Sequence, residues 1–466
     1  MSSDDFAAFR SLCMLRGFVL VGSTAILGTT TDPDQDVDVV LISEAPPGSK
    51  GGHTTAVLQE LRDLLRHSHL LVDAIVWYVG ATVSILKVQR GEESVDFLWL
   101  PGCTMSPVPN SETLDAEDTL LSQAPPPGYV APPAVQELAC DDQDLRLPPY
   151  TSAPADSIHL CRVFRHSLRN SRFFTVPALH RLRAFAKQRH VYGSKYGFPG
   201  GSAWCAMLWC FCAWLESTPS APDVPAPSPD EVVTRFLTTV TLWPWPLPWT
   251  VDNMAAIVDR KNVDAAALEV SVGRHLSTSF IVPMPIVTDN RVWNMTQCVQ
   301  QANQHTLLRE AWKATTTCQL GPYPNYRNEM RESLCQRHND VGHVVMRWPV
   351  YLSIKLPERS PPEWRGIVGS RIMNLLLPQL QACGFFPRPL CVDTPAYVVL
   401  LWPAQSLWMP RAQEDILLPL QDRLFPCLFA MLEASYASLW TDADRQDWAP
   451  PLKCLLPELD IHLCDL

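Results

Sequence analysis

The sequence predicts an α+β protein of more than one domain. Three observations carry that reading. Strand and helix patterns alternate as far as residue 100, helical patterning dominates from about residue 158, and the last third reads strand-helix-strand-strand-helix-strand. At 466 residues the chain exceeds one ordinary domain, and a hydrophobic content of 47% excludes a mostly disordered chain.

Residues 1–20 hold a short amphipathic helix and the apolar strand Phe18-Val19-Leu20-Val21, which runs into Gly22-Ser23. That pair opens a short helix and offers backbone N–H groups suited to a phosphate. Next, Asp36 and Asp38 enter the apolar run Val39-Val40-Leu41-Ile42. In a strand, positions i and i+2 share a face, so the two carboxylates project together as a hard-oxygen site of the kind Mg²⁺ takes. A calcium loop counted from Asp32 fails, because its sixth and twelfth places hold Val37 and Ser43 instead of Gly and Glu. From this stretch alone a solvated acidic turn remains the alternative.

After a Pro/Gly/Ser loop at 45–52, Val57, Leu58, Leu61, Leu64 and Leu65 recur at helical spacing, and strands follow around 71–79 and 82–89. Lys87 to Trp99 reads as a hairpin whose second strand puts Val95, Phe97 and Trp99 on one face and Asp96 and Leu98 on the other. A carboxylate in so apolar a strand is costly to bury unless it is paired or on a metal. The set Gly-Ser, then Asp-x-Asp, then a later strand Asp resembles the polymerase β-like nucleotidyltransferase superfamily. Three such carboxylates can hold two divalent ions that activate a 3′-hydroxyl and steady a triphosphate leaving group.

Residues 101–157, with Pro125-Pro126-Pro127-Gly128, read as a loop-rich connection. Although the net charge is −11, no Asp or Glu lies between Asp156 and Glu216, a window that holds Arg162, Arg165, Arg169, Arg172, Arg181, Arg183, Lys187, Arg189 and Lys195. Beside an acidic metal site, such a run suits phosphates of a nucleotide or RNA; a solvated face is the bland alternative. The 15 Cys form no Cys-x-x-Cys pair, and Cys205, Cys210 and Cys212 sit in an apolar helix as core residues. No secretory signal opens the chain, and no run of about 20 uncharged apolar residues suggests a membrane span. The expectation is therefore an intracellular protein of nucleus, cytoplasm or a viral compartment, with reduced thiols.

Tyr192, Gly197, Phe198, Gly200, Gly201 and Trp204 match, position for position, the pattern of eukaryotic and viral-type poly(A) polymerase, a family the chain resembles over nearly its whole length. The resemblance continues in Ser167-Leu168 and Arg172, Trp243-Pro244-Trp245-Pro246, Met284-Pro285-Ile286-Val287-Thr288 and Asn294-Met295-Thr296. It runs on through the strand Tyr351-Leu352-Ser353-Ile354 and the helix opened by Glu363-Trp364-Arg365-Gly366. Strands at 396–402 and 459–464, with a helix near 412–436, complete a ferredoxin-like or RRM-type module that lacks the aromatic RNA-binding signature.

What the resemblance implies is a nucleotidyltransferase catalytic domain at 1–135, a helical middle domain at 136–330 that closes on the nucleotide, and an RRM-like RNA-binding domain at 331–466. It implies template-independent addition of AMP from ATP to RNA 3′ ends, as in mRNA polyadenylation. Asp36, Asp38 and Asp96 would be the catalytic metal ligands for Mg²⁺ or Mn²⁺. Gly22, Ser23, Arg183, Tyr192, Ser194, Gly201 and Ser202 would bind ATP, and Lys187, Arg189 and Lys195 would meet RNA or phosphate. The Trp243/Trp245/Trp249 cluster is expected to pack between domains. The sequence leaves open a processivity or cleavage-factor partner or a homodimer.

The chain departs from the family at Arg183 for a Lys, Ser194 for an Asn, Ser202 for a Val, Thr82 for an aromatic residue and Ala25 for an Arg. These departures fall in the nucleotide pocket while the acids are kept. They bear on base preference and keep a uridylyl- or CCA-adding enzyme, and a non-catalytic RNA-binding subunit, as alternatives.

Overall fold

A computed structural model describes residues 3–27, 37–49, 52–66, 75–80, 84–90, 93–105, 145–146, 152–218, 227–258, 280–285, 294–299, 301–316, 350–357, 377–382, 385–390, 396–403 and 451–463, with Ser360, Trp364 and scattered positions of 422–437. Asp36, Thr82, Pro125 to Gly128 and most of the stretch after Glu363 lie outside the described residues. Contacts divide the chain into two units, residues 1–179 with 284–292 and residues 180–283 with 293–466.

The first unit opens with helix α1 (Ser3–Cys13), strand β1 (Leu15–Val21) and the six-residue helix α2 (Gly22–Leu27). Then come β2 (Val37–Ser43), α3 (Thr54–Arg66), β3 (Ile75–Gly80), β4 (Ser84–Arg90) and β5 (Glu93–Leu100). They form one sheet in the order β1-β2-β5-β4-β3, parallel at β2–β5 and antiparallel elsewhere. A two-residue pair, β6 (Thr104–Met105) with β7 (Leu145–Arg146), precedes helix α4 (Ala153–Asn170), so the expected loop at 101–157 holds a short ladder.

Strand alternation sorts the sheet's side chains into two cores. Val39, Leu41, Leu86, Val88 and Trp99 pack with Phe9, Val57, Leu58 and Leu61 of α1 and α3. On the other face Val19, Val21, Val40, Ile42, Leu98 and Leu100 pack with Ala25 of α2 and Ala155, Ile158 and Cys161 of α4. Burying each large apolar side chain stabilises the fold by about 1.5–3 kcal/mol, and a one-residue slip would exchange the two faces. The expected split of β5, with Val95, Phe97 and Trp99 on one side and Leu98 on the other, is found.

Helix α5 (Val176–Gln188) belongs to the second unit from His180 on, and there a 3₁₀ turn (Ser194–Tyr196) precedes α6 (Gly201–Ser217). Helices α7 (Pro229–Leu242), α8 (Val251–Val258) and α9 (Gln301–Thr316) follow. Helix α6 is buried from Ala203 to Leu208 and again at Cys210 to Cys212, as an all-round apolar helix requires. Burial, with a smaller contribution from Asp252, pushes the Cys210 thiol up to about 12, so it stays neutral as a core group.

Phe236 of α7 meets Trp204, Phe211 and Trp249 at ring distances of 6.3, 5.7 and 5.8 Å. The tryptophan cluster packs inside this one unit, a correction to the expectation that it lies between domains: Trp245 stacks on Phe280 at 3.8 Å, and Trp249 Nε1 donates to the Met207 carbonyl at 2.9 Å. Asn294 and Thr296 are buried too. Asn294 Oδ1 accepts from the Val282 N–H at 3.0 Å, and Thr296 Oγ1 donates to the Phe280 carbonyl at 2.8 Å.

Farther on, β8 (Val350–Lys355), α10 (Leu377–Ala382), β9 (Phe385–Leu390), β10 (Ala396–Pro403) and β11 (Glu458–Leu463) follow. The four strands are wholly antiparallel in the order β11-β8-β10-β9, with the segment's first strand central between its fourth and third. Trp364, fully buried, donates its indole N–H to the Leu455 carbonyl at 2.9 Å and meets Tyr436 edge-on. No helix among the described residues is long and apolar enough to cross a membrane.

Because Phe236 is fully enclosed by aromatic neighbours, Phe236→Ala is expected to destabilise the chain by about 3–5 kcal/mol, read as a lower urea midpoint. A shift below about 1 kcal/mol would contradict the packing described.

Candidate functional site

The first unit's site is a row across its sheet. Ladder pairing aligns Val21 with Asp38, Asp38 with Asp96, and Asp96 with Lys87. Residues paired in register point to the same side of a sheet, so Asp38 and Asp96 stand side by side on the α2/α4 face. They are continued along their strands by Val40 with Leu98 and Ile42 with Leu100.

Two close approaches fix these carboxylates. Gly22, with φ +69°, follows β1 and starts α2, and a Cβ built there would clash with Asp38 Oδ2. Only a residue without a side chain lets the Asp38 carboxylate lie against the backbone at the start of α2. Asp96 is 7% exposed, and Lys87 Nζ lies 2.7 Å from its Oδ1. An unpaired charge at that depth costs several kcal/mol, which the ion pair offsets. Arg165 of α4 donates from Nε to the Ala25 carbonyl at 3.2 Å, tying α4 to the far end of α2.

Oxygen donors from two carboxylates on adjacent strands fit Mg²⁺ or Mn²⁺. Among the described residues no group of three or more His, Cys, Asp or Glu gathers as a metal cage; Asp36, the third expected ligand, lies outside them. Ser23 is half-buried on α2.

In the second unit the other expected residues cluster between α5 and α6. Gly193, with φ 103°, and Gly197, with φ 75°, frame the 3₁₀ turn that carries Ser194 and Lys195. The backbone N–H groups of Tyr196 and Phe198 both donate to the Gly193 carbonyl, and the Gly193 N–H donates to Pro199. Three side chains hold this knot from outside: Trp204 Nε1 on the Val191 carbonyl at 3.3 Å, Cys298 Sγ on Phe198 at 3.5 Å, and Asn303 Nδ2 on Tyr196 at 3.0 Å. A Cβ at Gly201 would stand 2.6 Å from the Tyr192 hydroxyl, so that hydroxyl lies over the first turn of α6. Arg183, Tyr192 and Lys187 are half-buried, while Ser194, Gly201 and Ser202 are exposed.

Arg189 corrects an expectation. It is 2% exposed and its Nη1 lies 3.4 Å from Glu310 Oε2, itself 1% exposed, so it faces the core and is withdrawn from any RNA. Arg181 pairs with Asp230 at 2.9 Å at the surface. The long window without acids is thus partly neutralised by α7 and α9. The partners Glu310 and Asn303 lie more than a hundred residues along the chain from Arg189 and Tyr196, where no local spacing signals them.

Residues 173–321 match the poly(A) polymerase central domain. Poly(A) polymerase PAPa of Candida albicans is 26% identical over 171 residues, covering 36% of this chain and 24% of the relative. A second protein of that organism, poly(A) polymerase PAPalpha, is 26% identical over 180 residues, covering 38% of this chain and 25% of its own. The chain thus matches about a quarter of the length of these curated relatives. The domain match and these relatives liken the middle of the chain to poly(A) polymerases. Among solved structures, terminal uridylyl transferase 4 from Trypanosoma brucei with bound dUTP is similar at 13% identity and TM-score 0.41, over 67% of this chain and 89% of that one. That likeness is too slight to carry a substrate over.

Gly22→Ala forces either the Asp38 carboxylate or the start of α2 to move. The expected outcome is a loss of about 1–3 kcal/mol of stability, seen in urea unfolding. A variant as stable as wild type would contradict the close approach of Asp38.

Proposed function

We propose that this chain is a template-independent terminal nucleotidyltransferase that adds AMP from ATP to RNA 3′ ends. The observation that most supports it is the register of Asp38 and Asp96 on the parallel strands β2 and β5, beside Gly22, in a chain whose middle matches the poly(A) polymerase central domain. In this reading Asp36, Asp38 and Asp96 hold Mg²⁺ or Mn²⁺, which when bound supplies charge neutralisation on the triphosphate and a more acidic 3′-hydroxyl.

The chain's own residues then bind and orient. Gly22 and Ser23 present N–H groups and a hydroxyl to the triphosphate. Arg183, Tyr192, Ser194, Gly201 and Ser202 form the ATP contacts of the middle domain, and the knot at 191–198 keeps Tyr192 and Ser194 in fixed positions. The RNA 3′-oxygen attacks the α-phosphate of ATP, the new phosphodiester forms, and pyrophosphate departs. Lys187 and Lys195 meet RNA phosphates, and the antiparallel module of β8 to β11 acts as an RRM-like RNA-binding domain. The three-domain division at 1–135, 136–330 and 331–466 belongs to the same reading.

The test is extension of a labelled RNA primer with each nucleoside triphosphate in turn, with Mg²⁺ or Mn²⁺, by wild type and by Asp38→Asn. The expected result is a ladder with ATP and at least a hundredfold slower extension by the variant. A ladder with UTP or CTP in place of ATP would overturn the base assignment. Equal extension by Asp38→Asn would overturn the assignment of the acids.

A further inference from the structure

We propose that Lys87 is a positioning residue that holds Asp96 in place of a metal ion and competes with the ion for it. The inference rests on the reading of Asp38 and Asp96 as metal ligands and adds a control on their occupancy. Lys87 sits opposite Asp96 in the β4–β5 ladder, and its neighbours Leu86 and Val88 belong to the α1/α3 core. Alternation therefore turns Lys87 to the α2/α4 face, the face of both carboxylates. Its ammonium lies 2.7 Å from Asp96 Oδ1, and its side chain is 27% exposed against 10% for Asp96.

That geometry gives Lys87 two effects of opposite sign. In the absence of a divalent ion it balances a carboxylate that burial would otherwise penalise, and it keeps that carboxylate aimed along the row. A divalent ion arriving at the same carboxylate meets a positive charge within a few ångströms, in surroundings that screen poorly. Lys87 therefore weakens binding of the bare ion. The repulsion is relieved when the ion arrives with a ligand that brings negative charge, as a triphosphate does. Loading of the ion is thereby tied to loading of the nucleotide.

The experiment is titration of the full chain with Mn²⁺, followed by the free-ion electron paramagnetic resonance signal, with and without a non-hydrolysable ATP analogue. Wild type is compared with Lys87→Met, Lys87→Arg and Asp96→Asn. Lys87→Met is expected to bind Mn²⁺ alone about tenfold more tightly and to gain less from the analogue, whereas Lys87→Arg, which keeps the charge, stays near wild type. Lys87→Gln, able to donate an N–H to Asp96, covers the case in which the Met variant fails to fold and is expected to show the same tightening. Unchanged or weaker Mn²⁺ binding by both neutral variants overturns the role of Lys87 while the ligand reading stands. Wild-type Mn²⁺ binding by Asp96→Asn overturns the ligand reading, and the proposal with it.

Discussion

Two carboxylates held side by side at the end of a sheet repel one another, and the first unit is built so that this repulsion is tolerated. Asp38 and Asp96 align because β2 and β5 are the one parallel pair in an otherwise antiparallel sheet. In that pairing the two strands run in the same direction, so residues entering each strand from the same end meet. Gly22 gives Asp38 its space and Lys87 gives Asp96 its counter-charge. Without either, the row would carry a clash or an uncompensated buried charge.

The rest of the first unit keeps that row rigid. Behind the acids on the same face, Val40 with Leu98 and Ile42 with Leu100 close onto α2 and α4. The opposite face, under α1 and α3, carries Trp99 and Leu86. Because both faces are filled, neither strand can slip by one residue without burying a carboxylate against α3. Arg165 adds a tether between α4 and α2, the element that carries Gly22 and Ser23.

Much of this was legible in the sequence because it depends on local periodicity. The alternation in β2 and β5 places Asp38, Asp96 and the core faces directly. The apolar run of α6 and the strands of the last third are read the same way. Features that depend on register or on distant partners were not legible. The pairing of Lys87 with Asp96 requires the hairpin's exact alignment, since a shift of one residue would put Val88 there. The cationic window looked like one surface, yet Arg189 turns into the core because Glu310 waits on α9. The side chain that grips the Tyr196 carbonyl, Asn303, also comes from α9 and leaves no trace in the turn's own sequence.

The most direct test of the account is the position of a Mn²⁺ ion in crystals of the chain grown or soaked with MnCl₂ and an ATP analogue. Anomalous scattering locates it independently of any assay. The account predicts a peak within about 2.0–2.3 Å of carboxylate oxygens of both Asp38 and Asp96. A strong peak elsewhere, with the Asp38–Asp96 row unliganded, would contradict it.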